Sequence, residues 1–153
     1  MDYKTTTLVT EVKCERAEIA DFPSMKFGNL PNGQSVFDYT QYFEDNGLEH
    51  IDHKVFGRIC KCFINALVTR LELNAAELFY QNTDGHILAQ KELAMLFLQF
   101  ANPDIFTYFD QMLWSLMENG MAFSDGFVAS LAATRLPDDV LNEIMNIRNN
   151  GAT

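Results

Sequence analysis

The chain has 153 residues, 48% of them hydrophobic and 21% charged, which is the size and composition of one globular domain with a single core. Its 21 acidic residues outnumber its 11 basic residues, giving a net charge of −10. This charge argues against a general binder of nucleic acid or of anionic membranes, because both partners are themselves negative. We therefore expect no direct nucleic-acid binding and no membrane partner.

The sequence shows no pattern typical of a secretory signal, a membrane-spanning segment or a disulfide framework. The segment MDYKTTTLVTEVK has no apolar core of the kind found in a secretory signal, and the most apolar run, LAMLFLQF, is too short to span a bilayer. The three cysteines are odd in number and irregularly spaced, which is not typical of a disulfide framework. The sequence predicts a protein that is not secreted and that works in a reducing, intracellular setting.

Residues 1–47 are predicted to form an extended or β-hairpin arm. TTTLVTEVKC alternates and is rich in Thr and Val, which favours a strand. Pro31-Asn32-Gly33 is a turn signal between two short apolar runs and predicts a hairpin. If this arm is separate from the core, deleting residues 1–30 should abolish assembly and leave a cooperatively melting helical body.

Residues 48–153 are predicted to form a helical domain. The pattern indicates helices over 48–73, from 74 to the NTDG break at 82–85, over 86–101, over 103–119, over 124–135, and from the LPDD segment at 136–139 to about 149. Asn102-Pro103-Asp104 is a start signal and Asn119-Gly120 a stop signal. The predicted fold class is mainly α, a compact bundle of five to six helices preceded by the arm.

The segment LEHIDHKVFGRICKCF, residues 48–63, has the letters of a metal site. On one helix at about 100° per residue, however, Cys60 and Cys62 point to nearly opposite sides. His50 and His53 lie three residues apart, but nothing nearby completes a set of four ligands. We expect no metal site here and no cofactor.

The same helix predicts a basic stripe. Residues 54–73 carry four basic side chains against one acidic, whereas the residues before and after them are acidic. Lys54, Arg58 and Lys61 fall on one side of the helical wheel, opposite an apolar arc. Two interpretations stay open: a solvated face paired with the protein's own carboxylates, or a docking stripe for an acidic surface, including a neighbouring copy of this protein.

Three apolar residues are candidate contacts for a partner. The predicted helix 86–101 is apolar on both sides, with Leu88 and Met95 on the side opposite Phe97. In so short a chain, few helices can be covered by other elements on every side. Trp114 falls on a polar flank, beside Asp110 and Glu118, where a Trp is a candidate interface anchor. Burial in the core is the competing interpretation for each residue singly.

No sequence signature of an enzyme is present. The chain lacks a P-loop, a dinucleotide fingerprint, a nucleophile elbow, a zinc-protease motif, Cys-x-x-Cys and an EF-hand loop. Asp84 and His86 share a predicted loop, and Cys14 is a free thiol, but pairs of this kind arise often by chance. We expect no catalytic residues, and a small enzyme is the third interpretation of the chain.

The extended TTTLVTEVKC…NLPNGQSVF segment, the helical body and the short polar tail NIRNNGAT together resemble small virion and assembly proteins of tailed bacteriophages, of the connector, ring or tail-assembly type. The resemblance implies a non-catalytic structural subunit or adaptor, located in the host cytoplasm or the virion. Its partners would be further copies of itself or other subunits of the assembly. The rival hypotheses are an acidic binding protein or inhibitor that mimics nucleic acid, as anti-defence proteins do, and an assembly chaperone.

Overall fold

The computed structural model describes residues 3–17, 24–120, 142–143 and 146–147. The chain divides into two compact units, and the described part of the first covers residues 3–17 and 24–103. The described part of the second begins at residue 104 and includes two short helical stretches at 142–143 and 146–147. The predicted helix 124–135 lies outside the described residues, as does most of the helix predicted to follow it.

The first unit is built on a six-stranded mixed sheet. Its strands lie in the order β1-β5-β6-β4-β3-β2; β1 pairs with β5 in parallel, and the other neighbours are antiparallel. The strands are β1 (Thr5–Thr7), β2 (Glu15–Arg16), β3 (Lys26–Asn29), β4 (Ser35–Asp38), β5 (Phe79–Gln81) and β6 (Ile87–Gln90). Strands from both sides of residue 47 therefore share one sheet.

Helix α5 has its predicted bounds, but the other predicted helices of the described residues are divided, shortened or replaced. They are α1 (Tyr39–Asp45), α2 (His53–Ile59), α3 (Lys61–Arg70), α4 (Ala94–Ala101) and α5 (Pro103–Asn119), with one turn of 3-10 helix at Lys91–Leu93. The predicted fold class was wrong: the sheet makes this an α/β fold and not a mainly α bundle behind an arm. Helix α1, which lies within the predicted arm, was missed.

Strands occupy part of two predicted helices because both faces of the sheet are buried. β5 replaces the helix predicted from residue 74, and β6 occupies the first turn of the helix predicted over 86–101. Strands buried on both faces show continuous apolar runs without alternation, and a run of three or four such residues cannot be told from a buried helix by periodicity. The NTDG segment is the turn that joins these two strands, with Asn82 N donating to His86 O at 2.8 Å.

One face of the sheet packs against the helices through aromatic rings. Phe97 of α4 is fully buried, and its ring centroid lies 4.7–5.7 Å from the centroids of five other aromatic rings. These rings belong to Phe37, Tyr39, Tyr42, Phe43 and Phe56. Four of the chain's 13 phenylalanines thus pack in one helix–sheet core.

The opposite face of the sheet is covered by the chain between β1 and β2. Val36, Tyr80 and Leu88 alternate with the residues of the aromatic face and form a second buried cluster with Val12 and Leu30. The buried Asn82 side chain accepts from Val12 N at 3.0 Å and donates to Val12 O at 2.8 Å. An amide side chain therefore takes the place of a strand partner and holds this segment on the sheet.

The β3–β4 turn and both ends of α5 were predicted correctly. Pro31-Asn32-Gly33 forms the β3–β4 turn, in which Leu30 N donates to Gln34 O at 2.8 Å and Gly33 has a φ of 88°. Helix α5 begins at Pro103 and ends at Asn119, where Gly120 has a φ of 72°. Such signals depend on a few consecutive residues and so survive a wrong fold class.

Candidate interaction surface

The basic stripe lies on two consecutive helices rather than one. Asp52 caps α2, its carboxylate accepting from Lys54 N at 2.8 Å, and the helix stops at Cys60, whose φ and ψ are −93° and 16°. Helix α3 restarts at Lys61. The break changes the angular relation between the two helices, so the single wheel predicted for residues 48–73 does not hold beyond Cys60.

Helix α3 buries almost none of its apolar side chains. Six of its ten residues, KCFINALVTR, are apolar, yet Ile64 is its only buried residue. Phe63 is 64% exposed, and Ile59 at the end of α2 is 63% exposed. On the helical wheel both residues fall on the apolar arc opposite the basic stripe, and their exposure was not predicted.

The same two helices carry four basic side chains. Lys54, Arg58, Lys61 and Arg70 are all exposed, and within the part of the chain that the structure describes none of them forms an ion pair. The solvated face paired with the protein's own carboxylates is therefore not seen among these residues. We call the exposed set Lys54, Arg58, Ile59, Lys61, Phe63 and Arg70 the α2–α3 surface.

Tyr3 fastens the N-terminal end of β1 beneath this surface. Its ring packs on Gly57 of α2, where an added Cβ would come within 3.1 Å of the ring, and its hydroxyl bonds to the Asn65 side chain of α3. The buried His53 ring adds a second link, with Nε2 at 2.8 Å from Thr5 Oγ1 of β1. The α2–α3 surface is thus held by the sheet and not by a flexible loop.

The other predicted contact residues lie on three different elements, β6, α4 and α5. Leu88 is fully buried in β6, where it packs in the core and is closed to a partner. Met95 is exposed on α4, and Trp114 is exposed on α5 in the second unit. The three basic residues thus lie on α2 and α3, whereas none of the three apolar candidates is on these two helices.

Apart from the α2–α3 surface, a cluster of polar side chains joins α1 to the β5–β6 turn. Asp38 is buried; its Oδ1 accepts from Gln41 N at 3.0 Å and its Oδ2 lies 2.9 Å from His86 Nδ1. The hydrogen bond to Asp38 raises the pKa of His86, with further contributions from the charges of Asp38, Asp84 and Glu44 and an opposing one from burial. Asp84 and His86 share a turn, as the sequence predicted.

Burial favours the neutral forms of the His53 ring and the Cys14 thiol. Burial lowers the pKa of His53, and Asp52, whose carboxylate lies 3.5 Å from His53 Nδ1, only partly opposes this. Burial raises the pKa of the Cys14 thiol to about 11, helped by the charges of Asp38 and Asp84. At neutral pH this thiol is protonated and is a poor nucleophile.

Metal ligands do not come together in the described residues. Among residues 3–17 and 24–120 no group of three or more His, Cys, Asp or Glu side chains is placed to hold a metal ion. Cys60 is buried and Cys62 exposed, so these two thiols face different surroundings. None of the helices in the described part of the chain is both long enough and apolar enough to cross a membrane.

No protein-family model, curated protein or solved structure matches this chain. The α2–α3 surface therefore has to be interpreted from its own chemistry. It combines exposed apolar side chains with exposed basic ones, which is a composition that suits a protein-binding site whose partner is acidic.

Proposed function

We propose that this protein is a non-catalytic subunit or adaptor of a larger protein assembly, and that it binds its partner through the α2–α3 surface. The observation that carries the proposal is the exposure of α3, a ten-residue helix with six apolar residues and only Ile64 buried. Large exposed apolar side chains grouped on one element are typical of a protein interface.

Electrostatics support a protein partner with an acidic surface. Residues 53–70 contain four basic and no acidic side chains, in a chain whose net charge is −10. Exposed basic side chains speed association with an acidic partner and disfavour other partners. Four charges on the same two helices as two large exposed apolar side chains suit a mixed protein surface better than a phosphate backbone.

The polar side chains around Asp38 and around His53 have structural roles within the fold. Asp38 caps α1 and binds His86, while His53 connects α2 to β1 through Thr5. Each group is engaged by partners within the fold, which supports an adaptor over an enzyme.

A photo-crosslinking amino acid in place of Phe63 tests the proposed function in the organism that makes the protein. Irradiation should give a crosslinked protein product, identified by mass spectrometry, that disappears when Arg58→Glu and Lys61→Glu are added. The matched control carries the crosslinker in place of Val9, an apolar residue that is 97% exposed on the first unit. Identical products from positions 63 and 9, or none from position 63, would refute the proposal.

A further inference from the structure

Helix α5 has the complementary composition to the α2–α3 surface. Its sequence, PDIFTYFDQMLWSLMEN, contains three acidic residues and no basic residue, and none of its 17 residues is buried. The α2–α3 span from His53 to Arg70 contains four basic residues and no acidic one. Helix α5 thus has a charge of −3, and the span from His53 to Arg70 has a charge of +4 when His53 is neutral.

The apolar residues of α5 form a stripe with helical spacing. Phe106, Leu113 and Met117 follow one another at steps of seven and four residues, so they lie on one face of the helix. They are 54%, 55% and 70% exposed, and Trp114 beside them is also exposed. A helix with a continuous exposed apolar stripe needs a partner to remove that stripe from water.

Asp110 places negative charge at the edge of this stripe. On the helical wheel it falls between Met117 and Trp114, at about 100° per residue. The α2–α3 surface has the opposite arrangement, in which Arg70 shares a face of α3 with Phe63 two turns away. Each surface therefore combines exposed apolar residues with charges, and the charges of the two surfaces are opposite in sign.

We infer that α5 of one copy of this protein binds the α2–α3 surface of a second copy, in a head-to-tail contact. A symmetric contact of either surface with itself would bring like charges together, +4 against +4 or −3 against −3, and this repulsion disfavours it. The inference rests on the proposed function, since it names the partner of the α2–α3 surface. A head-to-tail contact leaves one free surface at each end, so it builds a ring or an open filament.

Charge reversal on each surface separately tests the contact in purified full-length protein. Sedimentation velocity should show wild-type protein associating as its concentration rises. Arg58→Glu with Lys61→Glu should abolish this association, and so should Asp110→Lys with Glu118→Lys. The matched control, Glu11→Lys with Glu77→Lys, changes the net charge as much as the second pair does but at exposed positions in the first unit, and it should still associate.

Mixing the two reversed variants gives the decisive result. An acidic α2–α3 surface on one variant then meets a basic α5 on the other, so the mixture should associate although neither variant does so alone. Melting curves of each variant confirm that it is folded, because all four altered side chains are exposed.

Crosslinking separates this inference from the proposed function. In a mixture of isotope-labelled and unlabelled protein, a crosslinker in place of Phe63 should join labelled to unlabelled chains at α5. Wild-type protein that stays monomeric, association that both reversals leave unchanged, or crosslinks only within one chain would overturn the inference. If position 63 instead captures a different protein in cells, and the reversal at Arg58 and Lys61 abolishes that capture, the proposed function stands and the head-to-tail contact falls.

Discussion

Asp38 joins two parts of the first unit through its two carboxylate oxygens. Oδ1 satisfies Gln41 N in the first turn of α1, a donor that has no acceptor within the helix, and Oδ2 binds the His86 ring of the β5–β6 turn. Thr40 reinforces the connection, its hydroxyl oxygen accepting from Ile87 N at 2.8 Å. A buried carboxylate is stable here because both of its oxygens are hydrogen-bonded, one of them to an imidazole that can be protonated.

The His86–Asp38 pair should make stability depend on pH. The pKa of His86 is raised in the folded protein, chiefly by its hydrogen bond to Asp38, so the folded state holds the proton more tightly than the unfolded chain does. This stabilisation is complete below the unfolded pKa of about 6.5 and is lost as the pH rises through the folded pKa. His86→Gln should therefore lower the melting temperature more at acidic pH than at alkaline pH.

Asp38→Asn is the matched control for this measurement. Asparagine still accepts from Gln41 N as a helix cap but no longer carries the charge that binds protonated His86. The variant should lose the same pH-dependent part of stability as His86→Gln. His53, whose pKa is lowered by burial, contributes with the opposite sign, losing stability as the pH falls below about 6.5, but it is present in all three proteins and cancels in the difference. A difference in melting temperature that is the same at every pH would contradict the assigned role of His86.

Strand β3 tolerates no side chain at Gly28 because the chain crosses it closely. A Cβ there would lie 2.6 Å from Lys13 O and 2.9 Å from Cys14 Sγ. The first of these atoms belongs to the backbone of the segment that covers the second core. This contact joins residues far apart in the sequence, and nothing in the local pattern around Gly28 indicates it.

Gly28→Ala should destabilise the protein by about 1–3 kcal/mol, the usual cost of forcing an extra carbon into a packed site. Chemical denaturation measures this as a fall in the free energy of unfolding. Asn29→Ala is the matched control, because Asn29 is exposed in the same strand and its side chain bonds only to Ser35. The control should change stability by about 0.5 kcal/mol or less. Equal stabilities for Gly28→Ala and wild-type protein would show that residues 12–14 do not pack over this strand.

Helices α2 and α3 agree with the helical-wheel prediction for their basic residues but not for their apolar residues. The wheel correctly predicted a polar, basic side, because exposed Lys and Arg need only water around them. It set Ile59 and Phe63 on the apolar arc, yet both side chains are exposed. The sequence did contain a sign of this exposure. Apolar residues cover a wider arc of the wheel than one core-facing stripe, so some of them must remain exposed. The residues that make up this wide arc are Phe56, Ile59, Phe63 and Ile64.

At the scale of the whole molecule, the N-terminal segment is part of the fold. Residues 3–17 supply β1 and β2 at the two edges of the sheet and Val12 to the second core. The sequence pattern predicted an independent arm because the partners of this segment are distant: Thr5 pairs with Phe79, and Val12 bonds to Asn82.

Deleting residues 1–17 should remove the cooperative thermal transition. The deletion exposes Tyr80 and Leu88 on one face of the sheet and takes away the bonding partner of the buried Asn82 side chain. Circular dichroism and calorimetry measure the outcome. Val9→Ser is the control, since Val9 is exposed within the same segment and its replacement should leave melting unchanged. A truncated protein that melts like the full-length chain would mean that the segment is a dispensable arm after all.

Local chemistry decided what could be predicted from the chain alone. The β3–β4 turn, the start of α5 at Pro103, its end before Gly120 and the basic island on α2 and α3 depend on residues within a few positions of one another. The sheet depends on contacts between residues about seventy positions apart, which no short window contains. Tertiary structure alone decided that β5 and β6 are strands, that Leu88 is buried, and that Ile59 and Phe63 are exposed, because burial of an apolar residue is set by the elements that pack around it.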